Sequence, residues 1–319
     1  MVMTLLTRPK KTVATVVIAT DGSGDFNCDG TSDDVEIQAA IDSLPATGGC
    51  IYMKEGTYNI TDPIYIINNN ISIIGCGRST ILTAGILILG DDMINVTGNN
   101  CTLDNFSMLW YANVASACIQ CSSSSGHLIT KIYIDSNVNE GISFNPSVID
   151  SIISNNFLTS TDAISGGRIG LTDGCVGNII SNNVCDTCVT GIGITTECNN
   201  NLIIGNICRN CDRNGIYLNT NSDSNIISNN NIYNNGARYY PLTIDEGISI
   251  AAGSDNNIIS NNKINNNTAY GINLTNSEPP ISPVAVNNNF VHGNYFINNT
   301  ELNIVDTGTN TQIFNNIEL

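Results

Sequence analysis

Apolar residues in this chain come in bursts of four to six positions, rich in β-branched side chains and bounded by Asn and Gly, which is the pattern of short strands rather than helices. One unit, Ile/Val-x-x-Asn-x-apolar, occurs at 153–158, 180–185, 203–208, 227–232, 259–264 and 291–296. Its asparagines, Asn156, Asn183, Asn206, Asn230, Asn262 and Asn294, are 27, 23, 24, 32 and 32 residues apart. Those spacings are too long for hairpins and fit one coil of a solenoid. A second unit, Gly-Ile-x-apolar, begins at Gly141, Gly191, Gly215, Gly247 and Gly271. From Gly141, Gly191, Gly215 and Gly247 to the next repeated Asn the distance is 15 residues every time. Each coil therefore has a fixed arc and a variable arc that absorbs insertions. Coils stacked about 4.8 Å apart would align like residues into ladders, with the asparagines bonding along the stack.

These observations predict an all-β fold, a right-handed parallel β-helix (solenoid). Residues 1–20 read as an N-terminal strand or attachment segment, 21–58 as a cap, and 59–319 as coils. The cap contains a helix predicted over 32–44, with Ile37, Ala40, Ile41 and Leu44 on one face and Asp33-x-x-Glu36 as a capping box. An amphipathic helix there would cover the apolar end of the stack. The last residues, 311–319, still read as strand, which calls for a partner or more chain beyond them.

Composition sharpens the functional classes. Only 12% of residues are charged and 41% are hydrophobic, so the Asn-rich pattern belongs to a packed repeat and not to a disordered segment. A formal charge of -17 opposes nucleic acid and anionic membranes, and it favours neutral glycans over polyanionic ones, which would need a bridging cation or a basic patch. No apolar run is long enough for a membrane helix. Near the N-terminus a Lys pair precedes an apolar run without a small-residue cleavage site. That segment is expected to be a strand, in a mature protein or in one released without a secretory signal, as virion proteins are.

The segments 19–42 (ATDGSGDFNCDGTSDDVEIQAAID), 48–58 (GGCIYMKEGTY) and 71–77 (ISIIGCG) resemble the pectate-lyase-like superfamily, in particular the β-helices of phage tailspikes and secreted polysaccharide-active enzymes. The resemblance implies the fold over the cap and first coils. It does not imply one activity, because the superfamily holds lyases, hydrolases, epimerases and non-catalytic adhesins. Polygalacturonase-like members carry Asn-Thr-Asp, Asp-Asp, Gly-His-Gly and Arg-Ile-Lys motifs. That set is missing here, His127 and His292 lack flanking Gly pairs, and no Lys/Arg constellation of a pectate lyase stands out.

If the Ile of Gly-Ile points inward, the residue before the Gly is expected on the outer face. This gives a column of Glu140, Asp162, Thr190, Asn214, Glu246 and Tyr270. Glu140 and Asp162 on adjacent coils would suit the paired carboxylates of a glycosidase, with Arg168 and Asp173 following, although an acidic surface on an acidic protein is the plainer account. The arc from Asn230 to Gly247 is 17 residues against 9 from Asn206 to Gly215, and the insertion brings Arg238, Tyr239, Tyr240, Asp245 and Glu246. Together with Tyr217 and Tyr270 these are candidate glycan contacts, because Tyr faces stack on sugar rings while Arg and carboxylates bond hydroxyls. A packing loop is the alternative.

Cys185-x-x-Cys188 and Cys208-x-x-Cys211 resemble a zinc ribbon in spacing, but they occupy successive ladder positions, where stacked thiols or inter-coil disulfides are the simpler expectation. No metal ligand set is assigned. Calcium is the only cofactor left open, by Asp21, Asp25, Asp29, Asp33 and Asp34, whose spacing fits turns and a helix cap better than a calcium loop. The leading expectation is an extracellular or virion-surface protein that binds, and in one version cleaves, polysaccharide as a tailspike-like homotrimer. The alternatives are a secreted polysaccharide lyase or glycoside hydrolase, and a non-catalytic structural or adhesive protein.

Overall fold

From Gly49 onward the chain deals its strands in rotation to three sheets, of 13, 11 and 10 strands, and every pairing among the described residues is parallel. The computed structural model describes residues 14–84, 91–111, 116–160, 168–236, 246–275 and 285–319. The architecture is a right-handed parallel β-solenoid of about nine turns. Among the described residues no helix is long and apolar enough to cross a membrane.

The repeated apolar positions form the core. Ile153, Ile180, Ile203, Ile227, Ile259 and Val291 on the first sheet and Ile192, Ile216, Ile248 and Ile272 on the third are fully buried. Each such side chain contributes about 1.5–3 kcal/mol through burial. On the second sheet Cys185 pairs with Cys208 in register, both buried, and all twelve cysteines carry free thiols. Small thiols thus fill ladder positions where Leu158, Ile232 and Ile264 stand in other coils.

The asparagine ladder runs unbroken. Each amide nitrogen from Asn156 to Asn294 donates to the side-chain oxygen of the next Asn, ending on Asn316, and also to a backbone carbonyl of the coil before. The residue ahead of each ladder Asn is left-handed: Asn155, Asn182, Gly205, Asn229, Asn261, Gly293 and Asn315 all have φ between 53° and 70°. Asn and Gly alternate there because both tolerate that conformation. A second ladder, Asn178–Asn201–Asn225–Asn257, has the same form, and its last step to Asn289 Oδ1 is made by the Asn257 backbone N–H. The row Gly191, Gly215, Gly247 and Gly271 is demanded by packing, since a Cβ at any of them would fall within 2.8 Å of a backbone carbonyl oxygen in the next coil.

The cap helix spans Asp34–Ser43 and buries Ile37, Ala40 and Ile41. The expected capping box does not form. Asp33 is the N-cap residue, but its carboxylate accepts from the backbone N–H groups of Gly30 (2.8 Å) and Asn59 (2.6 Å), tying the helix start to the first coil.

Insertions fall mainly on one edge of the stack, with one more between the third-sheet strand ending at Leu274 and the first-sheet strand beginning at Phe290. The connection from a second-sheet strand to a third-sheet strand is short between Asp186 and Ile192 or Arg209 and Ile216, and long between Ala84 and Ile94, Thr159 and Arg168, or Tyr233 and Ile248.

Candidate functional site

Outward positions of the third sheet line up in register from Gln120 through Ser143, Gly170, Gly193, Tyr217 and Ser249 to Asn273. Near the N-terminal end of this row lies a cleft of about 350 Å³ lined by Asp92, Ser116, Gln120, Glu140, Asn145 and Arg168, among others.

Glu140 opens the strand Glu140–Phe144, in which Ile142 and Phe144 face the core. Simple alternation would send residue 140 inward with them. The register slips between Glu140 and Ile142 against the strand Arg168–Thr172, and the carboxylate instead lies over the bare Cα of Gly170. In the outer column expected from the sequence, Glu140, Thr190, Asn214 and Glu246 are only 7%, 6%, 7% and 2% exposed, sunk at the foot of the face.

Arg168 pairs with Glu140 across the two coils. Its Nε and Nη2 both donate to Glu140 Oε1, the former at 2.9 Å, so the second carboxylate oxygen is left to the cleft. Asp92 accepts from the backbone N–H of Ala117 at 2.6 Å, and Ala117 is the cross-strand partner of Glu140. Burial above all, then the nearby charge of Glu140, pushes the Asp92 carboxyl upward against that hydrogen bond. The two acids belong to coils two steps apart, about 10 Å of backbone, with Asp92 reaching over the intervening coil. Ser116 Oγ, buried in the same cleft, has no hydrogen-bond partner among the described residues.

Of the residues singled out in the sequence, Glu140 and Arg168 come together here. Asp173 does not join them; it sits in the exposed turn after the strand at φ 57°, its carbonyl accepting from Ser147 N–H. Glu246 occupies the position equivalent to Glu140 four coils further along, where Asn273 Nδ2 donates to its Oε1. Tyr217 lies on the outward row and Tyr270 borders Glu246, both half-buried. Asp162, Arg238, Tyr239, Tyr240 and Asp245 lie outside the described residues. Asp92, Ser116 and Gln120 were not picked out from sequence. One signal was available for Asp92: an acid two residues ahead of a third-sheet Ile recurs as Asp92–Ile94, Glu140–Ile142 and Glu246–Ile248.

Other candidates have structural employment. His127 is buried, accepts from Cys101 N–H, and contacts Ser124 Oγ at 2.8 Å, and burial pushes its imidazole down to about 4. In the cap, Asp25, Asp29, Asp33 and Asp34 each accept from a backbone N–H, and Asp21 from Ser23 and Lys54. Cys28, Asp33 and Glu36 cluster closely, and burial and the neighbouring acids push the Cys28 thiol up to about 12.

Against known proteins, the family described as a right handed beta helix region matches residues 163–317. No curated protein matches the sequence. Among solved structures, the Dettilon tailspike protein is similar at 19% identity and a TM-score of 0.72, over 95% of this chain and 62% of that one. The ORF18 protein of Geobacillus virus E2 is similar at 17% identity and a TM-score of 0.70, over 95% of this chain and 60% of that one. An alginate lyase from Paenibacillus sp. is similar at 16% identity and a TM-score of 0.66, over 87% of this chain and 97% of the lyase. The chain thus spans about three fifths of the two viral proteins. At these identities the likeness concerns the fold alone, a right-handed parallel β-helix.

Proposed function

We propose, taking the right-handed β-helix as the frame, that this protein binds a neutral polysaccharide along its third sheet and hydrolyses it at the Asp92–Glu140 cleft. The observation that carries the reading is the pairing of unlike carboxyls in one cleft. Asp92 is desolvated and holds its proton to higher pH than an ordinary carboxyl, whereas Glu140 is ion-paired to Arg168. Such a difference in environment assigns acid and base roles. Asp92 delivers its proton to the departing glycosidic oxygen as that C–O bond breaks. Glu140, through the oxygen Arg168 does not hold, takes the proton of the water whose oxygen bonds to the anomeric carbon.

Neutral glycan is favoured because Arg168 is already matched by Glu140 and the chain carries a charge of -17. Tyr217, Tyr270 and Glu246 extend the contact surface, and Arg238, Tyr239, Tyr240 and Asp245 enter the sequence beside it. The tailspike and lyase likenesses support a glycan ligand and a place on a virion surface or outside the cell. Assembly as a homotrimer belongs to the same reading. It is supported by an uncharged outward ladder on the first sheet, Leu128–Ile152–Ile179–Leu202–Ile226–Ile258–Phe290, an apolar ridge on an acidic protein. The test is a product screen on neutral and acidic polysaccharides, with light scattering for mass. Saturated fragments from a neutral glycan, lost in Glu140→Gln, support the reading; unsaturated ends would point to a lyase, and binding without turnover to an adhesin.

A further inference from the structure

Glu246 repeats the position of Glu140. Each stands two residues ahead of an inward Ile, Ile142 and Ile248, and those isoleucines are joined through Ile169, Ile192 and Ile216 by in-register pairings. Four coil steps separate the two acids, about 19 Å along the axis. The surroundings of Glu246 are also built. Its backbone N–H donates to Asn214 Oδ1 at 2.8 Å, and Asn273 Nδ2 donates to its carboxylate. Asn273 is 7% exposed, and its Oδ1 is buried with no hydrogen-bond partner among the described residues. A buried amide oxygen left unpaired costs about 1–3 kcal/mol, so it calls for a donor. Ser116 Oγ stands in the same condition in the cleft.

Between these two places the outward row carries no charge: Ser143, Gly170, Gly193, Tyr217 and Ser249. The two glycines differ in cause. Gly170 makes room for the Glu140 carboxylate, because a Cβ would come within 2.6 Å of Glu140 Oε1. Gly193 has no such role: its φ is ordinary, and a Cβ would meet only Arg168 Cδ, at 3.9 Å. Gly inside a strand weakens it, and where no bulge or neighbouring backbone calls for it, close approach of a ligand is the remaining use of such a position.

We infer that the third sheet holds a second glycan seat at Glu246 and Asn273, so that a linear neutral chain lies along the solenoid axis from the Asp92–Glu140 cleft over Gly193 to Asn273. A hydroxyl of the distal sugar supplies the donor that Asn273 Oδ1 lacks. This rests on the glycan reading above and adds a direction, a minimum length and a distal contact to it.

The experiment measures affinity for size-fractionated neutral oligosaccharides, malto-, cello-, manno- and galacto-series from disaccharide to decasaccharide, by calorimetry on Glu140→Gln protein, which holds substrate uncut. Affinity is expected to rise about tenfold or more once the chain spans both seats. Asn273→Ala and Gly193→Val, each added to Glu140→Gln, are expected to erase that gain while leaving the shortest binding oligomer unaffected. Thermal melting keeps the result interpretable: Gly193→Val should melt no lower than its parent, since a β-branched residue suits a strand better than Gly. A length-independent affinity, or a gain that survives Gly193→Val in a protein of unchanged melting temperature, would overturn the second seat and leave the cleft standing. No binding to any of these oligosaccharides would remove the glycan reading itself, and the second seat with it.

Discussion

The carboxylate of Glu140 rests on Gly170, close enough that an added Cβ would lie 2.6 Å from Oε1 and 2.7 Å from Cδ. A register slip against the strand Arg168–Thr172 turns Glu140 outward, and Gly170 in that strand makes room for it. Gly170→Ala is therefore expected to fold, because the clash is with the far end of a side chain, and to push the carboxylate off its position beside Arg168. A displacement near 1 Å of a reacting group costs on the order of a hundredfold in rate. Turnover of the cleaved glycan, compared with the melting temperature of the same variant, checks this. Loss of fold with loss of rate in parallel would show that Gly170 serves stability alone.

Asp92 gives a pH signature that needs no substrate. Its folded pKa is raised, so the native state binds the proton more tightly than the unfolded state. Its contribution to stability is complete below the unfolded value near 4 and is lost as pH rises through the raised folded value. Asp92→Asn keeps an acceptor for Ala117 N–H and removes the titration. The variant should be at least as stable as the parent at neutral pH, with a flatter dependence of melting temperature on pH above about 4. The same substitution should abolish turnover, since an amide cannot deliver the proton.

His127 titrates with the opposite consequence. Held neutral, with its folded pKa near 4, it binds fewer protons in the native state than in the unfolded state between about pH 6.5 and pH 4. Stability should fall across that window as pH falls, by up to about 3 kcal/mol from this group. Denaturant unfolding of His127→Gln, which lacks the titration, should lose less stability than the parent between those two values; parallel curves would contradict the assignment.

Asn206 tests the ladder. Its amide donates to Ile180 O at 2.9 Å and Asn230 Oδ1 at 3.1 Å, and its Oδ1 accepts from Asn183. Asn206→Ala strands several buried partners at once and should cost about 2–4 kcal/mol in chemical denaturation. A surface Asn such as Asn234, replaced in the same way, should cost much less.

The fold was legible because a solenoid repeats its rules. Ile153 through Val291 and Asn156 through Asn294 announce one coil each, and no long-range pairing has to be guessed. The cap helix was legible in extent to within two residues at its start and one at its end. Its capping was not, because the partner of Asp33 is Asn59, 26 residues on, and that contact exists only after the first coil closes. The cleft was half legible. Glu140 stands out by its place in the repeat, but for a wrong geometric reason, since a register slip rather than alternation turns it outward, and Arg168, expected in the following loop, opens the next third-sheet strand. Asp92 was missed because its coil lacks the Gly-Ile marker, and a whole coil stands between it and the acid it complements.

The most direct test of the account is digestion of a bound neutral polysaccharide in water enriched in heavy oxygen, read by mass spectrometry of the released fragments. Hydrolysis at the Asp92–Glu140 cleft predicts one heavy oxygen at each new reducing end, with no release from Asp92→Asn or Glu140→Gln protein that still binds the chain. Fragments with unsaturated ends and no heavy oxygen, or undiminished release from either variant, would contradict it.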